Sequence, residues 1–80
     1  MDWREHIYSN PQIAGGKPIF RGSRFKVAFL LDLVAAGWSY EQIAEEYPGL
    51  RPEFIPAAAA FAADLIRDED YVAIGQAQTH

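Results

Sequence analysis

This chain of 80 residues contains no cysteine, so neither a disulfide nor a thiolate-held metal supports its fold. It has one methionine and two histidines, His6 and His80, at opposite ends. Neither histidine has a second ligand at metal-binding spacing, which excludes the usual zinc patterns. No apolar run approaches the length of a membrane span. The opening MDWREH lacks the pattern of a signal peptide, and the expectation is a cytoplasmic protein with no membrane contact. Ser9 and Ser23 have no base in view of the sequence, so no catalytic residue, cofactor site or metal site is expected, and no enzyme. Gly15-Gly16-Lys17 lacks both the spacing of a phosphate-binding loop and the Ser or Thr that follows its lysine. The run Asp68, Glu69, Asp70 reads as a solvated helix end.

What is present is apolar surface. Half of the residues are hydrophobic, more than a chain this short can bury in one core, so part of that surface is expected to meet another chain. A homodimer is the simplest such arrangement. Charge is divided along the chain. Residues 1–27 carry Arg4, Lys17, Arg21, Arg24 and Lys26 against Asp2 and Glu5. Residues 28–80 carry Arg51 and Arg67 against nine acids. The acidic part is a poor footprint for nucleic acid, because that affinity comes largely from Lys and Arg on phosphates. The basic part is the place for an anion.

The stretch Pro18–Val27, PIFRGSRFKV, is the most specific. Gly22-Ser23 is of the type that closes a tight two-residue hairpin. That register sets Arg21 against Arg24, Phe20 against Phe25 and Ile19 against Lys26. One face then carries Phe20, Phe25 and Val27; the other carries Arg21, Arg24 and Lys26. Like charges directly opposed are unfavourable. The arginines therefore splay into water or pair with acids of this chain, or else meet an acidic partner protein or a phosphate backbone. Lys17, Arg21, Arg24 and Lys26 are the candidate contacts.

Before the hairpin, Ile7-Tyr8 suits a short strand, and Asn10-Pro11 and Gly15-Gly16 mark turns. After it, Val27, Leu30, Leu31, Val34 and Ala35 recur at helical spacing, with Phe29 and Leu33 widening the stripe, until Gly37. Ser39 and Gln42 form a capping box, with Trp38 and Ile43 placed as a staple across it. Pro48-Gly49 ends that helix, and a third, alanine-rich helix follows Pro52. Pro56 either kinks its first turn or marks where its regular part begins. The spans are 27–36, 40–47 and 52–67. The expected fold is mainly α: a three-helix, helix-turn-helix-like bundle with a short N-terminal β-hairpin, one domain over 1–67 and a tail over 68–80. In the tail, Tyr71, Val72 and Ile74 form an apolar patch suited to a partner contact. The third helix begins with Pro52, Glu53, Phe54, Ile55 and Pro56, which lack the Arg, Asn or Gln that read base edges, so the unit reads as a packing module first.

In order, Asn10-Pro11, Gly15-Gly16-Lys17-Pro18, Arg21-Gly22-Ser23-Arg24, a hydrophobic helix, Ala36-Gly37-Trp38-Ser39 and Tyr47-Pro48-Gly49-Leu50 resemble the domain-of-unknown-function 433 family of small bacterial proteins. The resemblance covers roughly residues 5–66. Gly22-Ser23-Arg24 stands where the family has Gly-Thr-Arg, and Pro56 departs from a final helix without an early proline. The resemblance implies a helix-turn-helix-like fold. It also implies the role of antitoxin in a type II toxin–antitoxin pair, with a PIN-like ribonuclease toxin as partner. A DNA-binding autorepressor is the alternative, and the two roles can coexist.

Overall fold

The computed structural model describes residues 1–68. Its architecture is mainly α with a small N-terminal hairpin, as the sequence patterns predict. Strand β1 (Ile7–Tyr8) pairs antiparallel with β2 (Ile19–Phe20), with Ile7 opposite Phe20 and Tyr8 opposite Ile19. Three helices follow: α1 (Val27–Ala35), α2 (Tyr40–Glu46) and α3 (Phe54–Asp68). No helix among the described residues is long and apolar enough to cross a membrane. Tyr71, Val72, Ile74 and the tail beyond residue 68 lie outside the described residues.

Two turns fold the connection between the strands. Asn10 Oδ1 accepts the Gln12 N–H at 2.9 Å, and the Asn10 carbonyl accepts the Ile13 N–H at 2.9 Å. Ala14, Gly15 and Gly16 then take φ of 53°, 66° and 83°, a left-handed turn that two glycines tolerate and Ala14 does not favour.

The helices stop and start where short-range chemistry says. Gly37, at φ 90°, closes α1: its N–H reaches the Val34 carbonyl and the Trp38 N–H reaches the Leu33 carbonyl, which is the Schellman arrangement. Ser39 Oγ accepts the Gln42 N–H at 3.1 Å while Gln42 Oε1 accepts the Ser39 N–H at 2.8 Å, completing the capping box. At α3 the start falls two residues later than predicted. The Phe54 and Ile55 N–H groups bond back three residues, to Arg51 and Pro52. The first bond spanning four residues runs from Ala57 to Glu53, one position after Pro56. Pro56 therefore lies in the first turn, where its missing donor has no intrahelical partner to lose.

The core sits where the hairpin and all three helices meet. Phe20 and Phe54 stack face to face, 4.3 Å between centroids and 5° from parallel, with Phe20 fully buried. Ile7, Val27, Leu30, Leu33, Ile43, Leu50, Ala57 and Ala58 close around them. The buried line of α1 is Val27, Leu30 and Leu33, whereas Val34, expected inside, is 46% exposed. The cause is that α1 packs on one side only, so a stripe as wide as its sequence allows is half used. At the far end, Trp3 sets its ring edge-on to Phe61 at 4.8 Å, which holds the short 3-10 turn Trp3–Glu5 against α3.

Candidate functional site

The chain between β2 and α1 builds the site. The Ser23 N–H donates to the Phe20 carbonyl at 3.1 Å, so the turn spans Phe20–Ser23 with Gly22 third, at φ 77°. That left-handed position is the one glycine fills in a tight turn. The predicted loop, centred on Gly22 and Ser23, is thus displaced by one residue. The reason is Ser23 itself: its hydroxyl donates to the Phe20 carbonyl at 2.9 Å and accepts the Phe25 N–H at 3.1 Å, closing the loop with its side chain. The register beyond is as predicted. The Phe20 N–H donates to the Phe25 carbonyl at 3.1 Å, and Ile19 lies opposite Lys26 in an isolated bridge.

The two arginines have different surroundings. Arg21 turns towards β1, where its Nε donates to the Arg4 carbonyl at 3.2 Å and its guanidinium lies 4.8 Å over the Tyr8 ring. Arg24 lies with Phe25, Lys26 and Phe29 around an open hollow of about 280 Å³. Lys17 is exposed beside Pro18, whose carbonyl accepts the Val27 N–H at 3.0 Å. Among the described residues none of Lys17, Arg21, Arg24 and Lys26 forms an ion pair. The three ion pairs there are Arg4 with Asp2, Arg51 with Glu53 and Arg67 with Asp64.

The apolar wall of the hollow is aromatic. The Phe25 and Phe29 rings lie 5.9 Å apart and 14° from parallel. Tyr47 meets both nearly edge-on, at 6.1 Å and 5.1 Å. Gly49 makes room for this arrangement, since a Cβ there would stand 2.9 Å from Cε2 of Phe25. Trp38 also meets Tyr47, at 6.0 Å. Trp38 lines a second hollow of about 240 Å³ with Gln42, Glu45 and Glu46.

Two features lie beyond what the sequence reading found. Arg51, 29 positions from Gly22 in the chain, brings its guanidinium against the Gly22 turn: its Nη2 lies 3.6 Å from where a Cβ on Gly22 would be. The same group lies 5.3 Å over the Phe54 ring. Only the bareness of Gly22 hinted at a close neighbour. The second is that Phe29, read as part of the core stripe, forms a half-buried wall with Tyr47 instead. As to the chemistry, the Ser23 hydroxyl is engaged in its turn, and His6 lies edge-on to Phe54 at 6.2 Å. Among the described residues no group of three His, Asp or Glu side chains gathers to hold a metal. The arrangement suits the capture of an apolar group flanked by negative charge, since Arg forks onto a carboxylate through two parallel bonds.

The chain belongs to the family described as Protein of unknown function (DUF433), whose profile matches residues 7–62. It is 42% identical over 59 residues to the uncharacterized protein y4eO of Sinorhizobium fredii. That match takes in 74% of this chain and 27% of the relative, so the chain spans about a quarter of that protein's length. The fold is similar to the crystal structure of a DUF433 member from Anabaena variabilis, with a TM-score of 0.67 at 26% identity, covering 80% of this chain and 63% of that one.

Proposed function

We propose that this chain is a protein-binding module, the antitoxin of a type II toxin–antitoxin pair, which neutralises a PIN-like ribonuclease. Its contact is the hollow lined by Arg24, Phe25, Lys26 and Phe29. The observation that carries the reading is an aromatic wall flanked by two cations that meet no carboxylate among the described residues. Aromatic and arginine side chains in a concave patch are what strong protein contacts are built from. A PIN-like nuclease centres on acids that hold its metal, and Arg24 offered to those acids competes with the metal for them.

The first turn of α3 offers little to a base edge. Phe54, Ala57 and Ala58 are buried in the core, and residues 54–60 include no Arg, Asn or Gln. An acidic protein therefore suits this surface better than an operator does.

Co-expression with the product of the adjacent gene tests the reading. The wild-type chain is expected to copurify with that product and to relieve its growth arrest. Arg24→Ala/Lys26→Ala is expected to keep its circular dichroism and to lose both effects. A folded double variant that still neutralises the ribonuclease overturns the assignment of the hollow. Absence of any copurifying nuclease overturns the antitoxin role.

A further inference from the structure

Two hollows of opposite charge are each lined by a ring that contacts Tyr47. The basic one carries Arg24 and Lys26, and the acidic one carries Glu45 and Glu46. Phe29 lies 5.1 Å from Tyr47, and Trp38 lies 6.0 Å from it. The two charged rims are thus joined by a continuous strip of half-buried rings. Among the described residues none of the four charged side chains forms an ion pair. Each hollow holds like charges close together, which is unfavourable until an opposite charge arrives.

We propose that the isolated protein forms a two-fold dimer in which the basic hollow of each copy receives Glu45 and Glu46 of the other. A two-fold axis brings a surface onto its own counterpart, so residue i meets j while j meets i. A surface satisfies that condition when it carries opposite charges on either side of a shared centre. Here the centre is the Tyr47 strip. Rotation about an axis beside Tyr47 sets each acidic rim on a basic rim and makes the contact twice. It also covers the exposed edges of Phe25, Phe29 and Trp38, the residue types that anchor protein interfaces. The charges set the register of the two copies, and the rings supply the apolar area. The dimer uses the hollow assigned above to the toxin, so toxin and second copy compete for it. It needs no toxin to form, and the two readings therefore fail separately.

Sedimentation of the full-length chain at tens of micromolar tests this. Wild type is expected as a dimer that weakens as salt rises from about 50 mM to 500 mM, because exposed ion pairs are screened. Arg24→Glu/Lys26→Glu and Glu45→Lys/Glu46→Lys are each expected to be folded monomers, with dimerisation weakened at least tenfold. An equimolar mixture of the two is expected to recover a one-to-one dimer, since both rims then find opposite charge. Glu45→Gln/Glu46→Gln gives a milder version of the same loss if a charge reversal does not fold. A wild-type monomer at these concentrations overturns the proposal. So does a dimer that persists in both reversed variants, or a mixture that stays monomeric. A wild-type dimer with which no ribonuclease copurifies leaves this inference standing and overturns the toxin reading alone.

Discussion

The Trp3 indole N–H donates to Asp64 Oδ2 at 2.7 Å, across 61 positions of sequence. This bond and the Trp3–Phe61 ring contact clamp the first residues onto the last turns of α3. The bond holds the Asp64 carboxyl below its ordinary range, with the Arg67 hydrogen bond as the next cause. A carboxyl whose value is depressed in the folded state stabilises the fold at pH above its ordinary value of about 4. That contribution is lost as pH falls through the depressed folded value. Trp3→Phe keeps a ring against Phe61 and removes the donor. The Asp64 titration followed by NMR should then move up towards the ordinary range, and the Asp64 contribution should shrink and be lost over a narrower pH window.

Ser39→Ala removes the side-chain half of the capping box and leaves the Gln42 N–H without its partner. The expected cost is about 1 kcal/mol, read as a lower denaturant midpoint at unchanged slope.

Gly49→Ala places a methyl group 2.9 Å from the Phe25 ring. Phe25 is half-buried and can tilt, so the cost is about 1 kcal/mol, at the low end for overpacking. The tilt reshapes the hollow, and binding of the acidic partner proposed above should weaken even where the fold is kept. Gly49→Ser should behave alike, since the obstruction is the Cβ.

Ala14→Gly should stabilise the chain. Ala14 holds φ at 53° in a left-handed turn, which costs an L-residue roughly 1–2 kcal/mol. The freer unfolded glycine returns roughly 0.4–1 kcal/mol, leaving a net gain of about 0.5 kcal/mol. The midpoint of urea unfolding should rise; a fall would show that Ala14 makes contacts worth more than its backbone strain.

Residues close in sequence disclosed most of the helical framework. Gly37, Ser39 with Gln42, and Pro48-Gly49 act through bonds spanning two to five residues, so their effects are legible before any tertiary contact is known. The Ile19–Lys26 register was legible for the same reason. The turn inside it was misplaced by one residue, because the Ser23 hydroxyl competes with the backbone for the same closing bonds. Of the candidate contacts, Arg24 and Lys26 line the hollow, Arg21 is drawn to Arg4 and Tyr8, and Lys17 stands apart beside Pro18.

By itself, the sequence determined the division of charge, the number of helices, their stops and the half-hydrophobic composition, since each depends on residue type or on short-range geometry. The tertiary structure decided which side of α1 is buried, which leaves Val34 at 46% exposure. It also decided that Phe20 stacks on Phe54, that Arg51 lies against the Gly22 turn, and that Tyr47 contacts both Phe29 of the basic hollow and Trp38 of the acidic one. Those relationships join residues far apart in the chain. No rule of local spacing specifies them, because they follow from how three short helices and one hairpin share a single small core.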